Sequence, residues 1–204
     1  MLGYSKMELF TIGHSTHSME RFLELLAEHS ITAIADVRSS PYSRYNPQYN
    51  REILQKELKK RDIRYVFLGK ELGPRSDDPA CYMNGKVQYS LLAGTALFKE
   101  GIQRLKKGMD SFRIALMCAE KDPITCHRAI LVCRYLRQEG LKISHILEDG
   151  SLEDNEDSIV RLMKLLKVPD THLFKGKEEL IQDAYELQSD KIAYVLERDD
   201  DGPK

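Results

Sequence analysis

Phe112-Arg113-Ile114-Ala115-Leu116-Met117 runs directly into Cys118-Ala119-Glu120-Lys121-Asp122-Pro123-Ile124-Thr125-Cys126-His127-Arg128. The first six residues are a short apolar run of strand character. Beyond Arg128, Ala129, Val132, Cys133 and Leu136 recur at helical spacing. Two thiols, a carboxylate, an imidazole and a guanidinium therefore sit on a strand-to-helix turn. Thr125 reads as an N-cap, which puts Cys126 in the first helical turn, where unpaired N–H groups and the helix dipole favour an anion. A thiol in that position tends toward thiolate.

The same alternation extends to both sides. Upstream, Glu8 to Gly13 reads as a strand, and Met19, Phe22, Leu23 and Leu26 form a helical stripe. Ile31 to Val37 is a second buried strand. Asn46-Pro47 supplies an N-cap and first-turn proline for a helix carrying Ile53, Leu54 and Leu58. Arg64 to Leu68 is a third strand, and residues 69 to 89 form a Gly, Pro and Asp-rich loop long enough to suggest a lid or binding loop. A helix over Leu91 to Lys107 leads into the central strand, and Lys142 to Leu147 makes the fifth. Strand-helix repetition of this kind predicts an α/β fold: a mostly parallel, open sheet of about five strands with helices on both faces and right-handed crossovers. Residues 1–150 form this core domain. Residues 151–204 form a C-terminal helical appendage, with Ile159, Leu162, Met163 and Leu166 on one helix and Leu180, Ala184 and Leu187 with Ile181, Tyr185 and Ile192 on the next. These helices pack on the core or on a second subunit as a homodimer, and the Asp199 to Lys204 end reads as frayed.

Composition narrows the function classes. Apolar residues make up 42% and charged residues 31% of 204, ordinary for a globular protein, and the longest apolar runs are too short to span a bilayer. Met1 to Glu8 carries no apolar signal core, so the expected location is cytoplasmic. Cys81, Cys118, Cys126 and Cys133 then read as reduced thiols. Net charge is −1 but uneven: residues 38 to 64 carry eight Lys/Arg against three Asp/Glu, and residues 148 to 204 carry eight against sixteen. The basic segment suits a phosphate-bearing partner, and the acidic end argues against a general nucleic-acid coat.

In a parallel sheet every strand ends on one edge, where ligands bind near a change in strand order. Gly13-His14-Ser15, Asp36-Val37-Arg38, Leu68-Gly69-Lys70 and Cys118-Ala119-Glu120 all close strands, so they are expected to meet in one crevice. Cys126 is the expected nucleophile, and Cys118 a pocket residue or second, resolving thiol. Glu120 and His14 are the expected acid–base groups. Ser15, Arg38, His127 and Arg128 are assigned to binding an anionic substrate, the arginines through paired N–H donors. Asp36, an acid at a strand end, is expected to orient an arginine. Cys133 fits a core stripe, and His145 a satisfied buried histidine.

Taken together, Gly13-His14-Ser15, Asp36-Val37-Arg38 with Pro41 and Ser43, Leu68-Gly69, Leu72-Gly73, Cys118-x-Glu120 and Cys126-His127-Arg128 resemble the family of domains of unknown function numbered 488 (DUF488). The resemblance covers most of residues 8 to 149 and implies an α/β domain without supplying a reaction. Pro74 departs from the glycine that often follows Leu72-Gly73 in the family.

The preferred functional reading is an enzyme acting on a phosphorylated, nucleotide-like or other acidic substrate. The cradle loops of cysteine phosphatases and sulfur transferases are not matched, because ten residues including Pro123 separate Cys118 from Arg128. A second reading is a Cys/His metal-binding protein using Cys118, Cys126 and His127 or His14; the spacing is not that of a finger or ribbon, so no metal ligand is assigned. A third is a nucleic-acid-binding module using Arg38, Arg44, Arg51, Lys59, Lys60 and Arg64 with Tyr42, Tyr45 and Tyr49 interleaved. No Walker loop and no Gly-x-Gly-x-x-Gly fingerprint follows the first strand, and no cofactor is named by the sequence.

Overall fold

Alternation of side chains along the strands divides the molecule into layers. In the computed structural model, which describes residues 8–196, the central strand β6 (Ile114–Cys118) turns Ile114, Leu116 and Cys118 to one face and Ala115 and Met117 to the other. The Asp199 to Lys204 end lies outside the described residues. Strands β1 (Glu8–Gly13), β2 (Ala33–Asp36), β3 (Arg64–Phe67) and β7 (Lys142–Ile146) run parallel to it, in the order β3-β2-β6-β1-β7. A sixth strand, β8 (Leu152–Asp154), adds antiparallel to β7. The α/β sheet with parallel strands is the fold expected from the alternation; the count is six because a three-residue strand carries no periodicity to read.

Helices α1 (Met19–Glu28) and α2 (Arg51–Lys59) cover one face with Phe22, Leu25, Leu26, Leu54 and Leu58. The other face is covered by α3 (Gly69–Leu72), α4 (Tyr89–Gly94), α5 (Ala96–Met109), α6 (Arg134–Gln138), α7 (Asn155–Leu166) and α8 (Lys177–Ile192). Between α3 and α4 a hairpin, β4 (Tyr82–Met83) and β5 (Lys86–Val87), turns at Asn84-Gly85, both with positive φ, as a two-residue hairpin loop requires. The long loop of residues 69 to 89 therefore has structure of its own. From α7 and α8, Ile159, Leu162, Met163, Leu180, Ile181 and Tyr185 join the same apolar cluster as Leu9 and Leu116 of the sheet.

The chain leaves β1 toward β2 and β3 but leaves β6 toward β7 on the opposite side. The order thus reverses between β1 and β6, and the carboxyl ends of these two strands and of β2 mark the place for a site.

Candidate functional site

Two local features bring the cysteine turn onto the sheet edge. A Cβ on Gly13 would run into the Glu120 carbonyl oxygen, so a residue without a side chain is required where β1 passes this turn. Beyond it, His14 N–H donates to the Cys118 carbonyl and Ser15 N–H to the Ala119 carbonyl, each at 2.9 Å. Ser15 itself has a left-handed φ of 47°.

The turn departs from its expected form at one point. Thr125 closes a 3-10 turn over Pro123–Thr125, and its hydroxyl donates back to the Asp122 carbonyl at 3.0 Å. Cys126 is extended (φ −127°, ψ 140°), and its carbonyl accepts from Ala129 and Ile130 N–H, both at 3.1 Å. It therefore occupies the capping position one residue later than Thr125. The following turn, Arg128–Cys133, is a π-helix before α6 begins. Such turns lack any sequence periodicity of their own and recur at functional sites.

Four groups converge there. Glu120 Oε2 lies 2.8 Å from Cys118 Sγ and 3.0 Å from Cys126 Sγ, and His127 Nδ1 lies 3.6 and 3.8 Å from the same sulfurs. One ligand atom from each of Cys118, Glu120, Cys126 and His127 lies within 4.8 Å of the others. His127 Nε2 donates to the Val37 carbonyl at 3.0 Å. That bond fixes the ring so that Nδ1 faces the sulfurs. Arg128 N–H donates to Cys126 Sγ at 3.4 Å. Cys126 is only 1% exposed and Cys118 3%, whereas the Glu120 residue is exposed. The open mouth expected around Cys126 is thus a closed cluster with Glu120 at its rim.

Arg128 is fully buried and holds the turn, donating from Nη1 to the Glu120 carbonyl at 2.7 Å and from Nη2 to the Lys121 carbonyl at 3.0 Å. No carboxylate pairs with it among the described residues. Burial pushes the Cys126 thiol up, but the Cys118 thiol, Arg128 and His127 outweigh this and bring it well below the usual thiol range. Burial and the neighbouring Cys126 push Cys118 the other way. Burial and Cys126 also raise the Glu120 carboxyl, and His127 is raised despite burial because Cys126 and Glu120 favour its cation. In the metal-free cluster the two thiols are thus pushed in opposite directions, Cys118 toward its protonated form and Cys126 away from it.

The remaining expected site residues form a hydrogen-bonded network of their own beside the cluster. Arg38 donates to Asp36 from Nε at 2.9 Å and from Nη2 at 2.7 Å, to the Tyr49 carbonyl at 2.9 Å, and lies 3.4 Å from His14 Nε2. Asp36 orients an arginine, and that arginine is Arg38. His14 stacks on Tyr49 with centroids 4.1 Å apart, and its Nδ1 donates to the Ser15 carbonyl at 2.9 Å. Burial, joined by Arg38 and Arg128, lowers its imidazole to about 4, so it is neutral near pH 7. Tyr49 and Arg38 are buried, which withdraws both from the proposed stacking surface for nucleic acid; Tyr45 remains 90% exposed.

Tyr89, at the start of α4, is buried, and its phenol is raised by burial with the charges of Cys126, Cys118 and Glu120 adding to it. Two further residues hold the site's turn without a sequence signal that marks them. Arg161 on α7 grips Asp122 with bonds of 2.7 and 2.8 Å, and Gln188 on α8 donates to the Ile124 carbonyl at 2.7 Å. The C-terminal helices therefore hold the turn between the two cysteines.

A family model described as a domain of unknown function, DUF488, matches residues 18–135. No curated protein and no solved structure matches the chain.

Proposed function

The chain belongs to the DUF488 family, whose function is unknown, and from the geometry of its buried cluster we propose that it carries a zinc-class metal centre ligated by Cys118, Cys126, His127 and Glu120. The observation that carries this reading is the convergence of two sulfurs, one imidazole nitrogen and one carboxylate oxygen within 4.8 Å of one another. Sulfur and nitrogen donors in a four-ligand set select zinc over the hard cations, which want oxygen. The Val37 carbonyl on the far side of His127 is the outer support that metal-bound histidines use.

Charge supports the same reading. Two thiolates and a carboxylate bring three negative charges to a buried place, and a divalent cation with Arg128 balances them. The metal-free cluster reaches balance only by holding protons, which metal binding releases.

The test is elemental analysis of protein purified without a histidine tag and then loaded with zinc at neutral pH. About one equivalent is expected, falling at least roughly tenfold in affinity in Cys126→Ser and His127→Ala. Substoichiometric zinc in the loaded wild type overturns the centre.

A cysteine-centred enzyme acting on a phosphorylated, nucleotide-like or other acidic substrate is the second reading, favoured by one observation. Arg128 is a buried cation with no carboxylate partner among the described residues, and its charge stabilises a Cys126 thiolate. Rapid alkylation of Cys126 by iodoacetamide in zinc-free protein, abolished in Cys126→Ser, is the result expected of that reading; an inert thiol removes it.

A further inference from the structure

The four donors of the proposed centre are not held alike. Cys118 ends a central strand, and its carbonyl accepts from His14 N–H at 2.9 Å. Cys126 is fixed through its own N–H to the Pro123 carbonyl at 3.1 Å and through its carbonyl to Ala129 and Ile130, while its sulfur receives Arg128 N–H. His127 is buried and locked by Val37. All three side chains are buried, and the turn fixes their backbones.

Glu120 differs in its exposure and in the partners of its side chain. The residue as a whole reaches solvent although its carboxyl end is partly buried against the sulfurs, and among the described residues the carboxylate has no ion pair and no side-chain partner other than the two thiols. Its backbone, by contrast, is anchored: its carbonyl takes the Arg128 Nη1 donor at 2.7 Å. Side-chain rotation alone can therefore withdraw the carboxylate toward solvent while the other three ligands keep their places.

Resting on the metal-centre reading, we propose that Glu120 is the displaceable fourth ligand and that a small monoanion, a carboxylate or one of like size, takes its coordination position from the solvent side. Charge names the class. Without Glu120, two thiolates, a divalent cation and Arg128 sum to one positive charge in a buried site, and a monoanion restores neutrality where a neutral donor leaves the charge unpaired. The exchange breaks one metal–oxygen bond to Glu120 and forms one bond to the incoming anion, with no change in oxidation state. The three fixed donors and one exchangeable position are the arrangement that separates reactive zinc centres from closed structural ones.

Cobalt(II) makes the exchange visible, because its absorption bands report the ligand set. The full chain is loaded with cobalt and titrated with azide and with acetate, in wild type, Glu120→Ala and Glu120→Gln. A saturable band shift in wild type is expected, with affinity about tenfold higher in both variants, where no tethered carboxylate competes. Glu120→Gln preserves the side-chain volume at the rim and guards against a folding defect in the alanine variant. Cobalt bound at one equivalent but unmoved by either anion in all three proteins overturns this inference and leaves a structural centre standing. Cobalt that does not bind the wild type overturns the centre itself, and this inference with it.

Discussion

Buried histidines give the clearest residue-scale consequence, because three of them resist or hold a proton in different ways. His14 is lowered to about 4 and His145 to about 3, in both cases chiefly by burial. His145 lies within hydrogen-bonding reach of the Thr11 hydroxyl at 2.8 Å and the Asn155 side-chain oxygen at 3.2 Å. As pH falls below about 6.5, the unfolded chain takes protons that these two native rings refuse, so their contribution to stability is whole above that value and is lost progressively as pH falls toward 4. His127, raised in the metal-free cluster, works in the opposite sense. A single substitution isolates one of them. In His145→Gln the dependence of the urea-unfolding free energy on pH below about 6.5 should be shallower than in wild type, the difference approaching roughly 1.4 kcal/mol per pH unit near pH 5. Equal slopes would mean that His145 is protonated alike in both states.

The decisive element is the turn between β6 and the π-helix, together with the glycine that lets β1 approach it. Gly13→Ala forces a side chain into the Glu120 carbonyl, an overpacking expected to cost about 1–3 kcal/mol in thermal or chemical denaturation. If the proposed centre forms, it should also weaken zinc binding, because the displaced backbone carries Glu120. An unchanged midpoint and affinity would place the tolerance of this contact in β1 instead. This element was legible in the sequence in its parts more than in its shape. The apolar run at Ile114 to Met117, the reactive residues after it and an arginine-orienting role for Asp36 could all be read from residue type and spacing; that the arginine is Arg38, expected to bind substrate, could not. The cap at Cys126 could not, because Thr125 is the better capping side chain on propensity alone and only its bond to Asp122 diverts it. The π-helical turn, β8 and the two-residue strands of the hairpin are too short to leave a period. The Val37 carbonyl reaches the cluster only through a tertiary contact, which no local pattern carries.

Across the whole molecule, the C-terminal helices are bound into the same core as the sheet and also reach the cysteine turn through Arg161 and Gln188. An isolated residue 1–150 segment would leave Leu116 and its neighbours without the apolar side chains of α7 and α8 that share their cluster. The grip of Gln188 on the Ile124 carbonyl has a thermodynamic corollary. Whatever steadies that turn must steady α8, and by linkage the influence runs equally in both directions. Zinc should therefore slow amide hydrogen exchange along Lys177–Ile192, a helix that contributes no ligand. Gln188→Ala should loosen zinc by the same factor by which it diminishes that protection. Identical exchange in α8 with and without zinc would show the two ends of the chain to be energetically independent.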